Sequence, residues 1–243
     1  MNLTTTMGSL RCRVLQESSA APDLTVVLGH GYGAPGDDLV PLGAAMMERR
    51  PELAQRVRFV FPEAPVSMAD QGVPYGRAWW EIDIARIAAA RDPESIHRLS
   101  QATPEGLPHA RRLLLSLIDE ISRQPGSGPS KIVLGGFSQG AMLATDVALR
   151  LEEAPGGLVI LSGTLVSEPD WRKRAPSRRG LRVFQSHGRQ DPVLPFPRAV
   201  ALRDLLVEAG LEVDFLPFDG GHTIPLEVLD RAADFLVRCL APR

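Results

Sequence analysis

Cysteine is scarce. Cys12 and Cys239 are the only two among 243 residues, near opposite ends of the chain. They are too few and too far apart for a disulfide framework or a zinc cluster, so both read as ordinary buried or partly buried thiols and no metal is expected. Aromatic residues make up only 5%, and 27 basic against 29 acidic residues leave a net charge of −2. No basic stripe with interleaved aromatics exists, which argues against nucleic acid as a partner. The local cluster Arg172-Lys173-Arg174 with Arg178-Arg179 reads as a solvated loop. No apolar run approaches the length of a membrane span, so integral membrane association is not expected. The opening Met1-Asn2-Leu3-Thr4-Thr5-Thr6 lacks the basic start and apolar stretch of an export signal, so a cytoplasmic location is expected. What remains is an ordinary globular composition, 44% hydrophobic and 23% charged, able to bury a large core.

Short apolar runs alternate with longer amphipathic stretches. Strands are predicted at residues 10–16, 24–29, 56–61, 132–135, 158–162, 181–186 and 211–216. Helices are predicted at residues 38–49, 104–123, 141–151, 197–208 and 225–240; Leu113, Leu114, Leu117, Ile118 and Ile121 recur at helical steps. Pro197 and Pro225 fall where a first helical turn tolerates proline. This alternation predicts an α/β fold, a mostly parallel, doubly wound sheet with helices on both faces. With no repeat or linker, one domain over residues 1–243 is expected. The first two predicted strands, with a short turn around Ala20-Ala21-Pro22-Asp23 between them, are expected to pair as an antiparallel hairpin. Residues 68–87, which carry Tyr75, Trp79 and Trp80, and the polar residues 88–105 break the rhythm. Both read as long connections over the carboxyl edge of the sheet, where such folds bind ligands.

One motif carries chemistry. Gly136-Phe137-Ser138-Gln139-Gly140 follows an apolar strand and opens a helix. A sharp strand-to-helix bend needs residues without Cβ on either side, and Gly136 and Gly140 supply that clearance. Ser138 is then held at the tip with its hydroxyl exposed. By itself the pattern also fits an ordinary glycine-serine turn. A serine nucleophile needs a base, and the base needs an orienting acceptor. His97 and His109 lie in charged surroundings and read as surface residues. His30 and His187 end strands too early for a Ser…Asp…His order. His222, after Asp219-Gly220-Gly221 and before the last helix, is the preferred base. Asp191, in the loop after residues 181–186, is the preferred acid. Its Asp-Pro pair also fits a plain turn, and Asp219, three residues before His222, is its rival. Backbone N–H groups of Gln139 and Tyr32 would receive the developing oxyanion, the latter from the loop His30-Gly31-Tyr32-Gly33. That loop lacks either nucleotide-binding glycine pattern, so nucleotide binding is not expected. Tyr75, Trp79, Trp80 and Phe137 are candidates for the substrate site, with plain structural burial an equal reading for Trp80.

Six blocks occur in order: His30-Gly31-Tyr32-Gly33, Pro62-Glu63-Ala64-Pro65, Trp79-Trp80-Glu81-Ile82, Gly135-Gly136-Phe137-Ser138-Gln139-Gly140, His187-Gly188 with Asp191-Pro192-Val193, and Gly221-His222. Together they resemble the phospholipase/carboxylesterase family of α/β hydrolases, which includes acyl-protein thioesterases and small bacterial carboxylesterases. The similarity spans residues 24–240. It implies an α/β-hydrolase fold, a Ser138–Asp191–His222 triad, backbone donors at Tyr32 and Gln139, and no cofactor. It implies a serine carboxylesterase acting on a small-molecule ester or thioester; whether the chain forms a homodimer is open at this level. The alternatives are an acyl-protein thioesterase or lysophospholipase for long acyl chains, and a catalytically idle binding scaffold on the same fold. Two departures bear on substrate choice: the family often has Leu where Tyr32 stands, and residues 88–105 form a longer, more polar segment. Whether residues 68–105 form a lid is open at this level.

Overall fold

Continuous apolar runs mark strands buried on both faces, and three of them form the middle of the sheet. These are β3 (Leu24–Gly29), β7 (Ile132–Phe137) and β8 (Gly157–Leu161), in which only Phe137 is not fully buried. The computed structural model describes residues 2–82 and 92–241. The other long strands are β1 (Asn2–Met7), β2 (Leu10–Leu15), β4 (Val57–Pro62), β9 (Arg182–Gly188) and β10 (Glu212–Phe218). Eight strands form one sheet in the order β1-β2-β4-β3-β7-β8-β9-β10. From β4 to β10 all neighbours run parallel, whereas β1 and β2 are antiparallel additions at one edge.

The expected hairpin between the first two predicted strands does not form. β4 lies between them, pairing antiparallel with β2 and parallel with β3. The reason is burial. β3 is buried throughout and needs a neighbour on each side, whereas β2 alternates buried and more exposed positions and suits the sheet's margin. The hairpin partner of β2 is instead β1, joined through Gly8 at φ +58°. No strand was predicted over this polar, threonine-rich segment.

Helices cover both faces. On one, α1 (Val40–Arg49), α2 (Pro51–Arg56) and α8 (Leu226–Cys239) bury Met46, Met47, Leu53, Val228 and Phe235 against β3, β4 and β9. On the other, α4 (Leu107–Ser122), α5 (Gln139–Ala148), α6 (Glu168–Arg174) and α7 (Phe196–Glu208) enclose Leu114, Leu117, Leu143, Trp171, Leu202 and Leu205. The basic cluster expected to be a solvated loop is the last turn of α6. There Arg172 pairs with Glu168 and Glu208, and Arg174 with Asp170. Cations suit this end because the helix dipole is negative there.

Residues 68–105 hold more structure than plain connections. A short ladder joins β5 (Val66–Ser67) to β6 (Arg77–Ala78), and Asp92 accepts from Ser95 N–H to cap α3 (Pro93–Gln101). Residues 83–91, part of the segment for which the sequence leaves the question of a lid open, lie outside the described residues. Among the described residues, no helix is long and apolar enough to cross a membrane.

Parallel pairing sets the site. Gly29 is in register with Gly136, Phe137 with Leu161, Leu161 with Ser186, and Gly188 with Phe218. The carboxyl ends of five strands therefore align, and the loops that follow them meet at one edge.

Candidate active site

Ser138 sits between β7 and α5 with φ 54° and ψ −116°, a backbone conformation costly for any residue bearing a Cβ. Its N–H is tied to Leu161 O at 2.8 Å, which helps hold the bend. A Cβ on either Gly136 or Gly140 would collide with the carbonyl of Gly29. The glycines thus let β3, the bend and α5 pass at contact distance, as their spacing implies. Ser138 is 8% exposed, and that surface opens into a cavity of about 550 Å³ that His222 and Tyr32 also line.

His222 and Asp191 meet in this space. Nδ1 of His222 is 2.6 Å from Oδ2 of Asp191, while Oδ1 accepts from the N–H groups of Val193 and Leu194 at 2.8 and 2.9 Å. Burial alone would raise the Asp191 carboxyl. Hydrogen bonds from His187, His222 and Leu194 N–H, with the charge of His222, outweigh it and hold the group below the usual carboxylate range. The rival Asp219 faces away: its side chain is 86% exposed and lies 3.6 Å from Arg189. The ring of Phe137 packs on His222, with centroids 4.7 Å apart.

The other histidines have separate roles. His30 is buried and accepts from Ala64 N–H at Nε2, so Nδ1 carries the proton and faces Gly31 O at 2.8 Å. Burial, the largest influence, lowers its pKa. His97 and His109 are exposed. His187 was set aside on chain order alone. The structure places its Nε2 2.8 Å from Leu194 O and 3.2 Å from the same Asp191 oxygen that meets His222.

Gly31 packs against the elbow, since a Cβ there would lie 3.4 Å from that of Ser138. The loop is pinned beyond this point, where Gly33 N–H donates to Arg77 O and Arg77 N–H to Ala34 O. Tyr32 is held between these anchors. Gln139 opens α5, so its N–H precedes the first intrahelical bond. Its side chain has a function the sequence did not suggest. It accepts from Trp79 N–H and donates to Trp80 O, each at 2.8 Å, fastening that segment to the elbow.

The four aromatic candidates separate. Trp80 lines the cavity and Phe137 packs on His222. Tyr75, by contrast, is 85% exposed and not part of the lining. Trp79 is also outside the lining; it is buried and donates from its indole to His30 O at 3.0 Å. These two assignments are therefore corrected. Aromatic character in a connecting segment does not reveal which face of the segment meets the cavity.

The model of the phospholipase/carboxylesterase family matches residues 10–240. The chain belongs to that family. Acyl-protein thioesterase 1 of Gibberella zeae is 29% identical over 90% of this chain and 92% of its own length. The protein of the same name from Eremothecium gossypii is 33% identical over 86% and 85%. Among solved structures, esterase PE8 superposes with a TM-score of 0.76 and 31% identity, covering 93% of this chain and 97% of its own. A carboxylesterase from Mesorhizobium loti, at 20% identity and a TM-score of 0.73 over 97% and 98%, shares the fold. The fold is thus that of the α/β hydrolases.

Several polar residues of this family member's cavity were missed from the sequence, buried Arg198 and Thr164 among them, which line it from the start of α7 and from the loop after β8. A signal existed for the first: Arg198 lies in phase with the buried Leu202 and Leu205, a cation on an apolar stripe. For Thr164, in an irregular loop, there was none. Among the described residues, no group of three or more His, Cys, Asp or Glu side chains could hold a metal ion.

Proposed function

We propose that the protein is a serine carboxylesterase that hydrolyses carboxylic esters, including thioesters, through an acyl-enzyme on Ser138. The observation that carries this is the 2.6 Å contact between His222 Nδ1 and an ionised Asp191, beside a cavity that also holds a strained Ser138. Ser138 Oγ attacks the carbonyl carbon as its proton passes to His222. Asp191 fixes the imidazole with Nδ1 protonated and stabilises the imidazolium. The oxyanion is received by the N–H groups of Gln139 and Tyr32. Collapse expels the alcohol or thiol, which takes the proton from His222. Water then attacks the acyl-enzyme with His222 as base, releasing the acid and restoring the Ser138 hydroxyl. No cofactor takes part.

The apolar part of the lining, including Ile82, Leu99, Met142 and Val166, supports an acyl chain in this cavity. Because the curated relatives are named acyl-protein thioesterases, protein-bound acyl thioesters are a second reading. The cytoplasm is the proposed compartment, to be tested by fractionation, and a homodimer the largest proposed assembly. The test of the main reading is turnover of p-nitrophenyl esters of graded chain length by the wild type and Ser138→Ala. Loss of about 10⁴-fold or more is expected in the variant, and undiminished turnover would overturn the assignment. An optimum at two to four carbons would remove the long-chain reading.

A further inference from the structure

A cation is buried in the wall of this cavity without a counter-charge. Arg198 is only 4% exposed, and its one hydrogen bond runs from Nη2 to Leu165 O at 2.8 Å. Its Nε is buried and has no partner, and among the described residues no carboxylate lies within ion-pairing distance of its guanidinium. Burial, with no acidic group opposing it, brings the guanidinium down to about 10, so it remains charged at neutral pH. By contrast, Arg111 and Arg150 both meet the buried carboxylate of Asp146, and the buried Arg178 donates to the carbonyls of Ala148 and Ser177.

A second polar group, on a residue of the same lining, is unsatisfied. Thr164 is 1% exposed, lines the cavity, and its Oγ1 has no hydrogen-bond partner. It stands next to Leu165, whose carbonyl holds Arg198. A buried hydroxyl and a buried cation, each short of partners, are costly to keep in an otherwise apolar wall. That cost is recovered when a ligand brings the missing acceptors.

We propose that the cavity selects esters bearing a carboxylate, which is received by the guanidinium of Arg198 and the hydroxyl of Thr164. The inference rests on the esterase reading and names its substrate class. A guanidinium edge matches a planar carboxylate, and one cation balances one negative charge. A phosphate dianion would leave excess negative charge in a cavity whose lining also holds the exposed Glu81 and Glu105. Those two carboxylates disfavour an anion at the solvated part of the lining and leave the Arg198 wall as its place. The carboxylate can belong to the acyl chain or to the leaving alcohol.

The test uses two matched pairs of substrates. In the acyl-side pair, the p-nitrophenyl monoester of adipic acid is compared with p-nitrophenyl 6-methylheptanoate, its neutral isostere. In the alcohol-side pair, 3-carboxyphenyl butyrate is compared with 3-isopropylphenyl butyrate. The readout is the ratio of kcat/KM for the charged over the neutral member, so a general loss of activity cancels. In the wild type this ratio is expected to be high in one pair, which identifies the side that carries the carboxylate. It should fall at least about tenfold in Arg198→Met and by less in Thr164→Val, which keeps the side-chain shape. If Arg198→Met does not fold, Thr164→Val and Arg198→Lys supply the same comparison. A wild-type ratio near unity in both pairs, or one unmoved by any variant, overturns the proposal while leaving the esterase intact. Absence of wild-type turnover on all four esters would remove the esterase reading, and this inference with it.

Discussion

At Ser138 the left-handed backbone, the flanking glycines and the bond to Leu161 O all serve one side-chain position. The partners of that side chain can be tested one at a time. Asp191→Asn keeps the size of the acceptor but can present an N–H to His222 Nδ1, favouring the wrong tautomer. We expect kcat to fall about 10⁴-fold with KM little changed, read in steady-state kinetics. The same carboxylate bears on stability. Its pKa lies below the ordinary value of about 3.9, so its ionised form stabilises the fold fully above that pH and loses its contribution as pH falls further. The Tm difference between wild type and Asp191→Asn should be flat between about pH 7 and 5 and shrink below about pH 4. A difference that widens on acidification would contradict this. The meeting of Asp191 with His222, in a cavity that Ser138 also lines, was legible because chain order and loop placement limit the choices. Thr164 and the second contact of His187 were not, since each depends on which way a side chain turns in a folded loop or at a strand's end, and Arg198 left only its place on the apolar stripe of α7 as a signal.

Between elements, the tightest constraint is the crossing of β3, β7 and α5. Gly140 faces the backbone of Gly29 and His30, so no side-chain rotation can relieve an added methyl. Gly140→Ala should cost about 2 kcal/mol or more in urea unfolding and lower activity as the elbow shifts. Normal stability in that variant would mean the elements are less closely packed than described. The sequence revealed these elements where burial is total, because an apolar strand or an amphipathic stripe imposes a period. It failed at the margin. β1 is threonine-rich and polar, so its membership in the sheet depends on the β2 edge rather than on its own pattern. The pairing of β2 with β4 was likewise invisible to a reading that favours near neighbours in sequence.

Across the whole molecule, the helices on the active-site face are joined by one buried carboxylate. Asp146 on α5 accepts from Arg111 of α4, Arg150 and the indole of Trp171 on α6. Removing it in Asp146→Ala leaves Arg111 and the indole unpaired and Arg150 with Asp170 alone, at an expected cost of about 3–5 kcal/mol by chemical denaturation. A loss below about 1 kcal/mol would show that these groups find other partners or water. The architecture itself was legible because strand–helix alternation allows few arrangements. The central claim is that this scaffold holds Ser138 as the attacking atom of an esterase. It is tested most directly by intact-protein and peptide mass spectrometry after brief exposure to a fluorophosphonate. One adduct on the peptide containing Ser138, absent in Ser138→Ala and much slowed in His222→Ala, is the predicted result. A label on another residue, or one that persists in Ser138→Ala, would contradict the account.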